Sequence, residues 1–407
     1  MSQIDELLSR LCPDGVEFKA LGELGELVRG NGLPKVDFTE SGVGAIHYGQ
    51  IYTYYGTFTT RTLSHVAPDT AARLAKVDPG DVIITNTSEN LEDVGKAVAW
   101  LGSEQIVTGG HATIFKHHQD PKFISYWLQS PSFQSQKKKL ATGTKVIDVS
   151  AKQLAVVRVP VPPLEVQREI VRILDTFSEL EAELEVELEA RRVQYAYFRD
   201  SLFSAFGEDV DWMTLREISL RVSSGGTPLS TNRAFYDHGT IPWLRTQEVR
   251  FVDIYDTEIR VTEDAVKQSS AKWIPENCVI VAISGATAGR SAVNKIPLTT
   301  NQHCCNFQID PAKANYRYVF HWVNANYAQI KALGQGARSD LNAGLIQDFP
   351  IPVPSIDAQV RIAEVLDKFD TLVNDLKSGL PAELRARRQQ YEFYRDRLLT
   401  FKELSDG

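Results

Sequence analysis

Two stretches of the chain, 192 residues apart, carry nearly the same amphipathic sequence. VQREIVRILDTF occupies residues 166–177, and AQVRIAEVLDKF occupies residues 358–369. At this constant offset, residues 159–177 and 351–369 are identical at eight of nineteen positions. The chain is therefore expected to build the same kind of element twice.

The repeat continues at a slightly different offset. ARRVQYAYFRDSL at 190–202 matches ARRQQYEFYRDRL at 386–398 at eight of thirteen positions, now 196 residues apart. The four additional residues fall near SGLP, at 378–381.

Both copies are predicted to be long helices. Pro162 and Pro354 favour an extended entry into each, and no Gly or Pro interrupts the 43 residues of 164–206, which would form a helix of roughly 65 Å. The second copy is predicted to pause at Gly379 and to restart with Pro381 in its first turn. The apolar positions of the first copy follow the 3-4 spacing of a coiled coil: Ile170, Leu174, Phe177, Leu184, Leu188, Tyr195, Phe198 and Leu202.

A helix of this length cannot bury its apolar stripe alone. The two copies are each other's obvious partner, so an antiparallel pair is predicted. The alternative, that each helix packs only on its neighbouring domain, leaves the matching copies unexplained. The residues predicted to pair the helices are Ile170, Leu174, Phe177, Leu184, Leu188, Ile362, Leu366, Phe369 and Leu376.

The segments between the helices repeat more faintly. PGDVIITNTS at 79–88 corresponds to PENCVIVAIS at 275–284, and each predicts a buried strand that runs into a polar turn. The predicted fold is two mixed α/β globular domains that alternate with two long helices paired as an antiparallel coiled coil, with an internal pseudo-two-fold repeat. The predicted boundaries are 1–156 and 207–348 for the globular domains, and 157–206 and 349–407 for the helical regions.

Composition places the chain among soluble proteins of a reducing compartment. At 407 residues it predicts two to four domains, and no apolar run reaches the ~18 residues of a membrane-spanning helix. The start of the sequence lacks the basic and apolar pattern of a signal peptide. The four cysteines lack metal-ligand spacing, so we expect a reduced, cytoplasmic protein with no membrane partner: Cys12, Cys278, Cys304 and Cys305.

The formal charge of −8 conceals a local basic excess. Residues 106–160 contain eight basic and two acidic side chains, whereas 164–192 contain four basic and nine acidic. One surface can therefore attract phosphate although the total is acidic. The two similar helices indicate that the same assembly task is performed twice. The two diverged domains indicate that each binds a different target. An internal two-fold suits DNA, whose backbones are related by two-fold axes.

Four motifs in a fixed order carry a resemblance that covers essentially the whole chain. They are PPLEVQREIVRILDTF, EARRVQYAYFRDSL, VPSIDAQVRIAEVLDKF and GLPAELRARRQQYEFYRDRLLTF. In this order and spacing the chain resembles the specificity (S) subunit of type I restriction-modification enzymes. The tetrapeptides EAEL at 181–184 and EVEL at 185–188, with GLPAEL, are similar to the type IC branch.

The resemblance implies a subunit with no catalytic activity and no cofactor of its own. It implies double-stranded DNA as a partner, with each globular domain acting as a target-recognition domain for one half of an asymmetric, split target. It also implies two methyltransferase subunits that use S-adenosylmethionine to methylate adenine, and two restriction subunits driven by ATP and Mg²⁺. The helices would dock the methyltransferases and set the length of the unread spacer.

Polar, aromatic and basic residues in turns after apolar strands are the candidate DNA contacts. Gln50 could pair with an adenine edge and Arg245 with guanine, while Lys137, Lys138 and Lys139 are predicted to form a solvated helix face near DNA. Against these assignments, a Tyr in a strand more often serves packing than base contact, and a loop Arg is usually only solvated. The candidates in the first domain are Tyr48, Gln50, Tyr52, Tyr55, Thr85, Asn86, Thr87, Ser88, Lys96, His111 and Lys145. Those in the second are Ser224, Gly225, Thr227, Trp243, Arg245, Thr246, Gln247, Ser284, Thr287, Arg290, Asn301, Gln302, Arg338 and Ser339.

Catalytic motifs are not found. GATAGRS at 285–291 has neither the spacing nor the Lys of a phosphate-binding loop. The single PP pair is followed by Leu164, not by the aromatic residue of an adenine-methyltransferase motif, and no HExxH metal motif occurs. Two other hypotheses remain: a coiled-coil scaffold whose domains bind proteins, and a self-contained DNA-modifying enzyme. The first predicts no salt-dependent DNA affinity, and the second requires the missing methyltransferase motif.

Overall fold

Strand-rich segments and long helices alternate along the chain, as the repeat predicts. The computed structural model describes residues 3–206, 210–334, 341–375 and 377–404. The chain divides into unit 1, which comprises Met1–Leu184 and Leu384–Gly407, and unit 2, which comprises Glu185–Glu383.

Fourteen α-helices lie in the described ranges, and each is too short or too polar to cross a lipid bilayer. They are α1 (Gln3–Leu11), α2 (Leu21–Leu24), α3 (Tyr48–Thr53), α4 (Pro68–Arg73), α5 (Pro121–Trp127), α6 (Pro131–Leu140), α7 (Ala151–Ala155), α8 (Leu164–Ser204), α9 (Glu263–Lys267), α10 (Tyr316–Ala325), α11 (Tyr327–Ala332), α12 (Ala343–Gln347), α13 (Ile356–Asn374) and α14 (Leu380–Leu398).

The strands of unit 1 form two five-stranded sheets and two isolated pairs. They are β1 (Phe18–Ala20), β2 (Gly25–Arg29), β3 (Phe38–Thr39), β4 (Val43–Ile46), β5 (Phe58–Thr59), β6 (Ser64–Val66), β7 (Ala75–Val77), β8 (Val82–Thr85), β9 (Thr87–Ser88), β10 (Ala97–Trp100), β11 (Ile106–Thr108), β12 (Ala112–His117), β13 (Ile147–Asp148) and β14 (Arg158–Pro160). The sheet orders are β2-β12-β8-β10-β5 and β3-β6-β4-β11-β7, and the pairs are β1-β14 and β13-β9.

Unit 2 repeats this topology. Its strands are β15 (Trp212–Thr214), β16 (Ser219–Ser224), β17 (Ile241–Leu244), β18 (Val252–Ile254), β19 (Arg260–Val261), β20 (Trp273–Ile274), β21 (Val279–Ala282), β22 (Ser291–Asn294), β23 (Leu298–Thr300), β24 (Cys304–Ile309) and β25 (Pro350–Pro352). The order β16-β24-β21-β22-β18 matches the first sheet of unit 1, and β19-β17-β23-β20 matches four strands of the second. The parallel pair β4-β11 has its counterpart in the parallel pair β17-β23.

Apolar runs place the middle strand of each first sheet in the core. Every residue of β8 and of β21 is buried, which confirms the two predicted buried strands. The main core of unit 1 packs Phe115, Phe123 and Trp127 beside β8 residues. Strands buried on both faces are expected to be almost continuously apolar, as these are.

The two ends of the described chain meet in unit 1. The backbone N–H of Val16 donates to the carbonyl of Lys402 at 2.9 Å, and that of Leu404 donates to the carbonyl of Val16 at 2.9 Å. Arg158 also forms an ion pair with Glu403 at 2.7 Å. The segment after α14 thus lies against the segment that leads into β1.

The two long helical regions pair antiparallel. In unit 1 the ring of Phe177 stacks on that of Tyr394 at 5.2 Å between centroids, and Arg388 donates to Glu181 at 2.6 Å. Residue numbers rise along α8 while those of the partners fall along α14. In unit 2 the ring of Phe369 stacks 5.5 Å from that of Phe198.

The predicted pause in the second helical region is confirmed. Helix α13 ends at Asn374 and α14 begins at Leu380, with Pro381 in its first turn. Helix α8 ends at Ser204, two residues before the predicted end.

The predicted pairing residues have several environments. Ile170 and Leu174 lie in the main core of unit 1, where Leu399 is also buried. Leu188 and Leu366 are buried, and Leu184 and Ile362 are half-buried. Leu376 lies outside the described residues. The first turns of α8 therefore pack chiefly on the main core of unit 1, and pairing with α14 begins near Phe177.

Candidate nucleic-acid interface

In unit 1, the candidates Tyr48, Thr87 and His111 lie together where strands end. The backbone N–H of Asn86, just beyond β8, donates to the carbonyl of His111 at 2.8 Å. The hydroxyl of Thr87 lies 3.0 Å from His111 Nδ1, and the ring of Tyr48 lies 4.8 Å from the imidazole. This arrangement offers a hydroxyl, an exposed imidazole and a half-buried phenol, all of which can contact bases or phosphate.

Helix α3 is held in place by two side chains at its start. His47 Nδ1 accepts a hydrogen bond from the N–H of Gly49 at 3.2 Å, and Gln50 Oε1 accepts from the N–H of His47 at 3.0 Å. Gln50 Nε2 donates to the Ser64 hydroxyl at 2.7 Å. Both ends of the Gln50 amide are thus engaged within the protein, so contact with adenine would require this side chain to exchange partners.

Four other candidates in unit 1 support the loops from inside. Thr85 donates to the carbonyl of Asp93, Asn86 donates to that of Val149 at 2.6 Å, and the Tyr55 hydroxyl accepts from the N–H of Leu63. Thr85, Asn86 and Ser88 are buried. Their physical role in the structure is to satisfy buried backbone groups.

A polar cavity of about 360 Å³ brings together further candidates. Tyr52, Tyr55 and Lys96 line it with Gln129 and with Arg395 of α14. Lys96 also pairs with Asp93 at 2.7 Å. Lys145 lies elsewhere in unit 1, in the exposed turn before β13.

The lysine run does not form a uniformly solvated face, and the prediction for Lys137 is wrong. Its side chain is buried at 1% exposure, and Nζ donates to the carbonyls of Val94 at 2.8 Å and Glu92 at 3.3 Å. Lys138 and Lys139 are exposed. A long side chain on the inner face of α6 reaches carbonyls that would otherwise lack a donor.

Burial changes the titration of this amine. Desolvation is the largest cause and, with repulsion from Lys96, outweighs the opposite effect of Asp93 and Glu92, so the pKa of Lys137 is lowered from its ordinary 10.5 to about 8. Lys137 is therefore a structural cation of unit 1.

In unit 2, Arg245 follows β17 and begins the short 3₁₀ helix Thr246–Glu248. Its guanidinium pairs with Glu258 at 2.5 Å, and its backbone N–H donates to Glu248 at 3.1 Å. With its amide oxygen turned toward the guanidinium, Gln247 accepts from both terminal nitrogens at 2.7 and 3.0 Å. Both terminal nitrogens are thus engaged within the protein, so bidentate contact with a base would require the guanidinium to exchange these partners.

Neighbouring loops complete this surface. The Thr287 hydroxyl donates to the carbonyl of Thr246 at 2.9 Å, and the backbone N–H of Arg290 donates to the carbonyl of Thr287 at 2.9 Å. The Thr227 hydroxyl donates to Gln302 Oε1, and Ser284 follows β21 in the turn before Thr287. These hydrogen bonds and turns bring the ends of β16, β17, β21 and β23 together.

Other candidates of unit 2 lie in its framework. Trp243 is buried and its indole N–H donates to the carbonyl of Gly226 at 3.0 Å. A side chain at Gly225 would meet the carbonyl of Thr300 at 1.9 Å, which explains the glycine. Ser224 ends β16 half-buried, and Asn301 is buried. Arg338 and Ser339 lie outside the described residues.

The two units place different side chains at one equivalent position. His47 follows β4 and Arg245 follows β17, the first strand of each parallel pair. Each is the residue before a short helix, whose third residue, Gln50 or Glu248, accepts from its backbone N–H. His47, Glu248 and Glu258 also belong to these surfaces but were not predicted from the sequence. The signal for His47 was its place directly after a strand that corresponds to the strand before Arg245.

His47 is a neutral hydrogen-bonding group at neutral pH. Burial lowers its pKa, and Lys35 and His111 lower it further by repulsion. Because Nδ1 accepts from Gly49, we assign the proton to Nε2, which leaves one N–H donor. One unit thus offers an imidazole donor where the other offers a guanidinium.

No group of three or more His, Cys, Asp or Glu side chains in the described ranges is placed to hold a metal ion. The interface candidates are amides, hydroxyls, aromatic rings and cations, the groups that bind bases and phosphates.

A family profile decides the identity of the fold. Residues 13–190 and 208–386 each match the type I restriction modification DNA specificity domain. The chain belongs to this family. It is a DNA-recognition component of a type I restriction-modification system and not itself an enzyme.

Individual relatives agree with the profile. The chain is 36% identical over 296 residues to the specificity subunit of the type I restriction enzyme EcoR124I/EcoR124II of Escherichia coli. The aligned region covers 69% of this chain and 70% of that protein. It is 28% identical over 320 residues to the Escherichia coli EcoprrI specificity subunit, with 75% of each covered.

Solved structures share the fold of this specificity protein. A chain from a study of complex assembly and conformational transition of the type I R-M system superposes with a TM-score of 0.64 at 16% identity, covering 95% of this chain and 98% of that one. The S subunit from M. genitalium superposes with a TM-score of 0.58 at 15% identity, covering 95% and 96%.

We predict that Lys137→Ala lowers the free energy of unfolding by about 1–3 kcal/mol, because two carbonyls lose their buried donor. The exposed neighbours provide matched controls, and Lys138→Ala and Lys139→Ala should each change it by less than about 0.5 kcal/mol. Urea denaturation of the three variants measures the difference. Equal, small effects at all three positions would contradict a structural role for Lys137.

Proposed function

We propose that the specificity protein reads a bipartite, asymmetric DNA target, one half with each recognition domain. The domains are residues 1–156 and 207–348, and the helical regions are 157–206 and 349–407. One observation carries the proposal: the same strand framework presents His47 in one unit and Arg245 in the other. Equal frameworks with unequal donors suit two different half-sites.

Each surface offers chemistry suited to its half-site. In unit 1, the exposed imidazole of His111 lies beside the Thr87 hydroxyl, and the exposed Lys145 lies in a separate turn. In unit 2, the guanidinium of Arg245 has a fork that matches the O6 and N7 acceptors of guanine once it is released from Gln247 and Glu258. The exposed lysines Lys138 and Lys139 add attraction to phosphate without sequence preference.

The helical regions are proposed to dock two methyltransferase subunits. Val186, Val193 and Tyr197 of α8 are exposed, and their spacing of seven and four residues places them on one helix face. Phe393 of α14 is likewise exposed. Apolar side chains in such a row are typical of a helical interface. The partners would supply adenine methylation with S-adenosylmethionine, and two restriction subunits would supply ATP- and Mg²⁺-dependent cleavage, all in the cytoplasm.

The proposal is tested by co-expressing the chain with its methyltransferase partner in an unmethylated host. Single-molecule sequencing then maps every modified adenine. The expected result is one motif with two unequal halves around an unread spacer of fixed length. Absence of new methylation, although the complex co-purifies and the partner is active, would contradict the proposal.

Arg245 is predicted to specify guanine in one half-site. Arg245→Ala should weaken methylation of sites carrying that guanine by about 5- to 150-fold, the equivalent of ~1–3 kcal/mol. Arg245→Lys keeps the charge without the fork and should give a similar loss. Methylation mapping should show the motif relaxed at one position, with the other half-site unchanged as an internal control. An intact motif in both variants excludes this role.

The length of α8 is predicted to set the spacer. Duplicating EVEL after Leu188 adds ~6 Å of helix and ~40° of rotation, so the mapped spacer should lengthen by about one or two base pairs at ~3.4 Å each. Glu187→Gln alters the same tetrad without changing its length and should leave the spacer as it is. An unchanged spacer after the insertion would rule out this mechanism.

A further inference from the structure

A buried glutamine ties each recognition domain to its helical region. In unit 1, Gln167 lies in the first turn of α8 and has no exposed surface. Its Oε1 accepts from the backbone N–H of Asp120, the residue that caps α5, at 3.0 Å. Its Nε2 donates to the carbonyl of Pro162 at 2.7 Å and to Gln119 at 2.8 Å.

Unit 2 makes the same connection. Gln359 of α13 is fully buried, and its Oε1 accepts from the backbone N–H of Asn315, the cap of α10, at 2.9 Å. Its Nε2 donates to the carbonyls of Pro354 at 2.8 Å and Lys313 at 3.2 Å.

An aspartate eight residues later makes the second connection. In unit 1, Asp175 accepts from Lys122 Nζ at 2.7 Å and from the Tyr126 hydroxyl at 2.8 Å. These two residues lie two and six positions beyond the cap of α5.

In unit 2, the aspartate is Asp367. It accepts from Arg317 Nε at 2.8 Å and lies 2.7 Å from Nε2 of the buried His321. Arg317 and His321 again lie two and six positions beyond the cap, Asn315. The side chains differ between the units, from Lys and Tyr to Arg and His, while the positions and contacts agree.

Such contacts resist movement that apolar packing tolerates. Core side chains can slide past one another at modest cost, because dispersion contacts are not directional. A buried amide whose oxygen and nitrogen are both engaged cannot rotate without leaving a donor and an acceptor unpaired. Two such connections, eight residues and therefore about two helical turns apart, restrain rocking of α5 on α8 and of α10 on α13.

We propose that Gln167 with Asp175, and Gln359 with Asp367, are positioning residues that hold each recognition domain at a fixed angle on its helix and so determine how strictly the spacer length is measured. The inference rests on the proposed reading of a bipartite target. A spacer longer by one base pair displaces a half-site by ~3.4 Å and rotates it by roughly 35°. A rigid joint rejects that site, whereas a loosened joint accepts it.

The test uses Gln167→Met and Gln359→Met, which keep the length of the side chain and remove its hydrogen bonds. Leu174→Ala and Leu366→Ala remove buried apolar groups beside the aspartates and serve as controls for lost stability. Purified complexes with the methyltransferase partner are given duplexes whose mapped half-sites are separated by the native spacer or by one base pair more or fewer. The rate of adenine methylation is measured on each.

We expect the joint variants to lose about ten-fold or more of their preference for the native spacer, with a smaller loss of rate on the native site. Gln167→Glu retains the acceptor for Asp120 and should give an intermediate preference. The leucine controls should be destabilised at least as much and keep the full preference. An unchanged preference in both methionine variants overturns the proposal.

A measurement without DNA separates this outcome from failure of the proposed function. Spin labels at the exposed residues Thr60 and Glu179 of unit 1, in a Cys12→Ser background, report the angle between recognition domain and helix. The distance distribution should broaden in Gln167→Met and not in Leu174→Ala. Broadening without relaxed spacing overturns the joint as a determinant of spacing. If the unaltered complex methylates all three spacers equally, spacer measurement itself is refuted and the joint proposal falls with it.

Discussion

A helix of 41 residues in water depends on apolar surface supplied by other parts of the chain. Helix α8 obtains that surface in succession. Ile170 and Leu174 enter the core of unit 1, and the ring of Phe177 then stacks on Tyr394 of α14. The second helical region has the same apolar stripe. In unit 2, Leu366 of α13 is buried and Phe369 stacks on Phe198 of α8. Placement of the recognition surfaces follows from how these helices are covered.

The duplicated fold gives both units the same framework while their surface side chains differ. The sheets of both units share strand order, and the joints to the helices share hydrogen-bond geometry down to the spacing of the participating residues. The first strand of each parallel pair ends at a residue that differs between the units, His47 in one and Arg245 in the other. A rigid frame with variable loop residues is an efficient route to new DNA specificity, because loop changes leave the buried core untouched.

Periodicity and punctuation in the sequence predict the helices, their antiparallel pairing, the pause before Leu380 and the buried strands β8 and β21, since local spacing determines these features. The contacts of single polar side chains depend on tertiary neighbours, and here prediction fails or stops short. Lys137 can be buried because its ammonium group donates hydrogen bonds to the carbonyls of Glu92 and Val94. No pattern within KKK distinguishes it from Lys138. Gln50 has the chemistry of an adenine contact, yet the fold uses its amide to cap α3.

Unit 1 contains two segments that are far apart in the sequence, and this separation determines when its contacts can form during synthesis. Unit 2 is one uninterrupted stretch, Glu185–Glu383, whereas unit 1 needs Leu384–Gly407 in addition to its first 184 residues. During synthesis, the partner residues for Phe177 and Val16 leave the ribosome after all of unit 2 has been made. The face of α8 around Phe177 is therefore uncovered by α14 until unit 2 has been synthesised. A chain that ended at Glu383 would therefore contain all of unit 2 but would leave Phe177 and Val16 of unit 1 without these partners.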